Sequence, residues 1–152
     1  MVDIVEGQTL EIQNLISFRG KLTQNEIESV GKDMEEFVVS AGARRVGNPI
    51  TATYGIEADK IDVELLIPVD KQVECSQCYT YKERIRIVNA VVAKYTGSPM
   101  GLQGACNELN QYIVEHKLLP VTVGYNLTKN VDITNPENTE VDIYVGISQN
   151  IL

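Results

Sequence analysis

The apolar positions of this chain alternate, then recur every third or fourth residue, then alternate again, and the whole cycle runs twice. Residues 9–18 alternate well enough for a strand, with Leu10, Ile12, Leu15, Ile16 and Phe18 supplying bulk, and residues 1–8 read as a loose lead-in. Thr23 followed three residues later by Glu26 is a capping-box signature and predicts a helix start. Beyond it Ile27, Val30, Met34, Phe37, Val38 and Ala41 fall on one helical face, and Gly42 is a natural stop. Two short runs follow, 49–54 and 61–67, with a turn over 55–60. They predict a β-hairpin that Pro68 closes by removing a donor.

The second cycle opens at residues 79–87, where apolar or aromatic residues alternate with charged ones and continue through Val91 and Val92 to Tyr95. That predicts one long strand, with or without a bulge, or two consecutive ones. Gly97-Ser98-Pro99 precedes a helix whose stripe is Leu102, Ala105, Cys106, Leu109, Tyr112, Ile113 and His116. The two stripes match position for position, Ile27 with Leu102, Met34 with Leu109, Phe37-Val38 with Tyr112-Ile113. Pro120-Val121-Thr122-Val123-Gly124-Tyr125 then echoes Pro49-Ile50-Thr51-Ala52-Thr53-Tyr54, and residues 141–147 echo 61–67 after a longer turn over 129–139. Phe18-Arg19-Gly20 aligns with Tyr95-Thr96-Gly97.

The expected fold class is therefore α+β: tandem duplicated β-α-β-β units, an antiparallel sheet, and two helices packed on one side. One domain over 1–152 would contain both repeats, about 8–69 and 79–148, joined by a polar connector at 70–78. A repeated unit that cannot hide its own apolar face does so against its copy, so the groove between the copies is the expected pocket.

Composition narrows the partners. Hydrophobic residues make up 43% and charged residues 22% of 152, the balance of a soluble globular protein. A net charge of −8 opposes the counterion exchange that nucleic-acid binding needs, and the basic residues at Arg44-Arg45 and 82–86 have acids among or near them. No apolar run reaches the roughly 20 residues that cross a bilayer, and residues 1–20 carry Asp3, Glu6 and Glu11 where a secretory signal would be apolar. The expected location is cytoplasmic, with neither nucleic acid nor membrane as a partner. Three cysteines, at least one of them unpaired, fit a reducing compartment.

Cys75-Ser76-Gln77-Cys78 has the spacing of a metal or redox pair. Zinc wants four ligands, and the remaining candidates, Cys106 and His116, lie on the stripe of the second helix where packing explains them. A redox pair belongs at a helix N-terminus, whereas this one precedes a strand pattern. Two connector thiols are the simpler reading, with no metal and no cofactor. The sole histidine, His116, reads as a core or boundary residue rather than a base, and no catalytic triad or phosphate loop can be assembled. Tyr54 with Tyr125, Glu64 with Tyr144 and Phe18 with Tyr95 occupy equivalent places in the two copies. Around a pseudo-two-fold axis, they would offer aromatic faces and one acid to a flat or cationic molecule. The alternative is that the tyrosines flank the core and Glu64 faces water.

The duplicated unit, closed in the first half by Asp62-Val63-Glu64-Leu65 to Pro68-Val69 and in the second by Val141-Asp142-Ile143-Tyr144-Val145, resembles the gyrase-inhibitor-like small-molecule-binding domains, over roughly residues 8–148. These serve as effector domains of multidrug-responsive transcription regulators and as free-standing relatives. The chain also resembles an uncharacterised free-standing family of Gram-positive bacteria, some of whose genes accompany secreted-toxin clusters. In the larger family the first strand of the second hairpin carries Glu-x-Tyr, the acid receiving cationic ligands. Here the triplet is Val123-Gly124-Tyr125, so the tyrosine carries over and the acid does not. What the resemblance implies is a free-standing, non-enzymatic effector-binding protein, and the ligand-binding residues expected from the repeat are Phe18, Tyr54, Glu64, Tyr95, Tyr125 and Tyr144. The alternative is a protein-interaction adaptor or chaperone-like factor, of a secretion or toxin system, with a protein partner. A hydrolase resting on carboxylates is a third possibility.

Overall fold

Thr23 caps the first helix as its spacing to Glu26 predicts: its hydroxyl accepts from the Glu26 N–H at 3.3 Å, and the Glu26 carboxylate accepts from the Thr23 N–H at 3.0 Å. The computed structural model describes residues 2–75, 78–130 and 134–148. Its elements are β1 (Val2–Leu22), α1 (Gln24–Ser40), β2 (Ile50–Glu57), β3 (Lys60–Pro68), β4 (Thr80–Gly97), α2 (Leu102–Glu115), β5 (Tyr125–Asn130) and β6 (Thr139–Gly146). The order β-α-β-β thus runs twice and the class is α+β, as expected. No helix among the described residues is long and apolar enough to cross a membrane.

The chain forms two compact units, Glu11–Arg86 and Met1–Leu10 with Ile87–Leu152, and strands β1 and β4 each pass from one to the other. In the first unit β3 lies between β1 and β2, antiparallel to both. Its core joins Met34 and Val38 of α1 to Ile16 of β1 and Val63, Leu65 and Ile67 of β3. In the second, β6 lies between β4 and β5, and Ala105, Leu109 and Ile113 of α2 meet Val91, Ala93, Val141, Ile143 and Val145. Each helix therefore buries the matched stripe against its own strands.

Several expectations need correction. Residues 2–8 are strand rather than lead-in, and Val2 and Ile4 pack on the core of the second unit. Gly7 and Asn14 take left-handed backbone inside β1, at φ +68° and +57°, local breaks that hide the continuity of the strand from a strict period-two reading. The connector is not simply polar: Val73 is buried, and Cys75, with Tyr79 just beyond the connector, packs against the same core as Met34. The first hairpin turns in two residues, Ala58 and Asp59, because Gly55 marks a bulge within β2 and pairing resumes through Glu57 and Lys60. In the second copy residues 121–124 stand outside any strand. Pro120 makes an isolated bridge to Ile147, and β5 begins only at Tyr125. Part of the turn expected over 129–139 lies outside the described residues.

The aromatic alignment also shifts. Ile61 and Val141 open equivalent strands, and their ladder partners are Leu22 and Tyr95. Tyr95 thus corresponds in register to Leu22, four residues beyond Phe18, which pairs with Leu65.

Both helices end in the same hydrogen-bond pattern. Gly42 N–H reaches Val39 O and Ala43 N–H reaches Val38 O at 3.0 Å each. In the second helix Lys117 N–H reaches Val114 O and Leu118 N–H reaches Ile113 O, at 3.1 and 3.0 Å. The left-handed position holds glycine in the first copy (φ +78°) and lysine in the second (φ +54°). Lys117→Gly is expected to raise stability by about 1 kcal/mol, by relieving the Cβ–carbonyl crowding that disfavours this backbone for side-chain-bearing residues. A higher urea midpoint at unchanged m checks it.

Candidate functional site: a buried glutamate on the face opposite the helix

Along β3 the side chains alternate. Val63, Leu65 and Ile67 face α1, which sends Asp62, Glu64 and Leu66 to the other face of the sheet. Glu64 is only 4% exposed, so the reading in which it faces water is overturned. Three side chains serve its carboxylate. Ser17 Oγ donates to Oε2 at 2.5 Å, Lys82 Nζ donates to Oε2 at 2.6 Å, and Tyr54 OH donates to Oε1 at 3.1 Å. Burial alone would push the Glu64 carboxyl up. The hydrogen bonds from Lys82, Ser17 and Tyr54, with the Lys82 charge, outweigh it and hold the group below the ordinary glutamate range.

Local structure explains how Tyr54 gets there. Thr53 pairs with Val63 and Gly55 with Asp62, so Tyr54 is the extra residue of the β2 bulge, which re-aims its side chain. The residue opposite Glu64 on β2 is Ala52, whose methyl adds little bulk beside the carboxylate. Arg19, opposite Glu64 on β1, lays its guanidinium 3.5 Å from the centre of the Tyr54 ring and grips Asp62 through two nitrogens at 3.3 and 3.2 Å. Its hydrogen bonds and charge lower the Asp62 carboxyl.

The second unit has a related arrangement. Tyr125 and Tyr144 are directly opposed across β5 and β6, on the face away from α2. Burial, then the Asp142 charge, push the Tyr144 phenol up. Lys129 is the extra residue of the β5 bulge and brings Nζ within 3.1 Å of Asp142 Oδ2, itself on a side chain only 6% exposed. With Lys94 and Glu140 they line a polar recess of about 300 Å³. A second polar recess of about 430 Å³, in the first unit, is lined by Gln13, Asn14, Gln72, Tyr81, Glu83 and Arg84, with the Tyr81 hydroxyl bonded to Asn14.

Of the six expected ligand-binding residues, then, Tyr54 meets Glu64 and Tyr125 meets Tyr144. Phe18 and Tyr95 do not join them, because both point to the helix side of their sheets. Phe18 packs on the first core, edge-on to Tyr79 at 6.4 Å between ring centres. Tyr95 is 8% exposed in the second core and donates its hydroxyl to Ser98 O at 2.5 Å. One residue of register separates the two faces of a strand, so both lie apart from the Glu64–Tyr54 and Tyr125–Tyr144 pairs, with Tyr95 bordering the recess of Lys129 and Asp142.

Sequence reasoning missed Ser17, Arg19 and Lys82. The signal was present for the first two, which alternate with Ile16 and Phe18 and so belong to the Glu64 face. Lys82 sits in an alternating charged strand where nothing local distinguishes it from its neighbours. Cys75 is half-buried, its thiol pushed up by that burial and 3.7 Å from Val73 O, whereas Cys78 is exposed. Among the described residues no group of three or more His, Cys, Asp and Glu is placed to hold a metal. His116 is not in the core. It is exposed at the end of α2, stacked on Tyr112 at 3.8 Å between ring centres.

No protein-family profile matches the sequence, and no curated protein matches it. Solved structures do. The C-terminal domain of EcmrR is similar over 99% of each chain at 15% identity, with a TM-score of 0.77. EcmrR in its complex with DNA is similar at 17% identity with a TM-score of 0.80, over 98% of this chain, which spans only 58% of that one. SAV2435 bound to tetraphenylphosphonium is similar at 12% identity over 98% of this chain and 94% of that one, with a TM-score of 0.53. With its doubled β-α-β-β order and these neighbours, the chain has the gyrase-inhibitor-like fold.

Proposed function

We propose that this chain is a small-molecule-binding module that takes aromatic cations at Glu64 and Tyr54. The observation that carries the reading is a carboxylate only 4% exposed, hydrogen-bonded to a tyrosine on the sheet face opposite the helix. A carboxylate in such a place stays ionised only where cations or donors compensate it, and a ring that meets a cation face-on adds quadrupole attraction. Glu64 would supply the charge, Tyr54 the aromatic wall, and the tyrosine pair Tyr125–Tyr144 is a further aromatic surface of the same chain. The resemblance implies an acid in the second hairpin, where this chain has Val123, and in this reading Glu64 of the first hairpin takes its part. SAV2435, of similar fold, is bound to tetraphenylphosphonium, which supports the ligand class. The role would be that of an effector-binding module.

The test is a thermal-shift panel of aromatic cations and neutral analogues of the same size. A ligand present at a hundred times its Kd stabilises by about 2.7 kcal/mol, or about 5–10 °C for a chain of this length. Cations are expected to raise Tm by that amount and the neutral analogues to do so much less. Equal shifts for both series, or none, would sink the reading.

A further inference from the structure

The acid and the ring of the proposed site both hold cations already, and the chain supplies them. Lys82 Nζ lies 2.6 Å from Glu64 Oε2, and the Arg19 guanidinium covers the Tyr54 ring at 3.5 Å. With Asp62 the cluster contains two acids and two bases and carries no net charge. A monovalent ligand cation added to it would leave one uncompensated positive charge beside a carboxylate that is largely shielded from water. One resident cation has to leave.

The geometry separates the two. Arg19 is fixed by two nitrogens on Asp62, at 3.3 and 3.2 Å, a planar fork that resists displacement. Lys82 reaches Glu64 with one ammonium on a flexible stem, and its side chain is 38% exposed against 5% for Glu64. Its head can regain hydration by rotating outward while its stem remains on the surface. Ser17 and Tyr54 would stay on the carboxylate, so its remaining acceptor sites are not abandoned when the lysine leaves. A lipophilic cation with delocalised charge pays less to be desolvated than a compact ammonium, so the exchange favours that class of ligand.

We infer that Lys82 is an internal competitor for the site: it neutralises Glu64 in the unliganded protein and is exchanged for the cation of the ligand. The inference rests on the cation-binding reading above. It makes the observed affinity the intrinsic affinity divided by the cost of expelling Lys82.

Calorimetric titration with tetraphenylphosphonium tests it. Lys82→Met is expected to bind about tenfold tighter than wild type, as removal of a competing closed state requires. Lys82→Arg, which keeps the charge, is expected to bind no tighter. Because Lys82→Met leaves a buried carboxylate short of a partner, a second measurement uses the wild-type protein alone. The Lys82 side-chain NMR signals should move toward those of a solvent-exposed lysine as tetraphenylphosphonium is added. Binding to wild type with those signals unmoved and with Lys82→Met no tighter overturns the exchange while leaving the binding reading intact. Absence of binding to both proteins overturns the two together.

Discussion

Glu64→Gln is expected to cost about 1–3 kcal/mol at neutral pH and to flatten the acid limb of the stability curve. Charge-assisted hydrogen bonds contribute more than neutral ones, and Glu64 accepts three hydrogen bonds, the one from Lys82 an ion pair. The exposure of Lys82 keeps the cost toward the lower end, since its charge is partly screened by water. The direction with pH follows from the depressed carboxyl. Its folded-state pKa lies below the ordinary 4.5, so the ionised form is preferred in the fold. The stabilisation is complete above the unfolded value and is lost as pH falls through the folded one. Wild type and variant should therefore differ in urea midpoint near neutrality and converge as pH drops below about 4.5. A gap that stayed constant into acid would mean that the charge of Glu64 contributes nothing and that the loss comes from the amide NH2 facing donors. The Arg19–Asp62 pair titrates in the same direction, but solvent screening keeps the cost of Asp62→Asn smaller than that of Glu64→Gln.

Met34→Ala and Leu109→Ala are each expected to cost about 2–5 kcal/mol, the range for emptying a large buried side chain. The two residues sit at matched positions of α1 and α2 and are 0% and 1% exposed. Each touches a layer rich in β-branched side chains, Val63 and Ile67 with Met34's core, Val91, Val141, Ile143 and Val145 with Leu109's. Stiff rotamers and strand backbone limit how far such a layer can collapse into the void. Similar losses at the two sites, read from urea midpoints, would show the doubled architecture at the level of energetics. A large loss at one and almost none at the other would mean that the copies have diverged in what stabilises them.

Much of the architecture was written in local signals. The Thr23–Glu26 capping box, the two apolar stripes and the alternation of β4 each depend on residues within a few positions of one another, and each formed where its pattern lies. What misled was punctuation. Gly55 reads as the start of a turn and instead follows a bulge at Tyr54, and residues 2–8 read as lead-in yet belong to a 21-residue strand that passes through a left-handed Gly7, because a glycine flags a local break without saying which kind. The site was half legible. Glu64 and Tyr54 could be named from the repeat, but the helix-side placement of Phe18 and Tyr95 follows only from register, which fixes the face of every residue in a strand and is set by long-range pairing. Lys82 was illegible for the same reason, since only its placement relative to Glu64 distinguishes it from the other charges of β4.

On the proposed reading, the shielded carboxylate of Glu64 on β3 receives the positive charge of a ligand. Isothermal titration of wild type and Glu64→Gln with tetraphenylphosphonium, under conditions where both are folded, addresses it most directly. The expected result is measurable binding to wild type and a loss of about a hundredfold or more in the variant, as removal of a buried charge partner commonly brings. Equal affinity in the two proteins would contradict it and place any binding elsewhere on the chain.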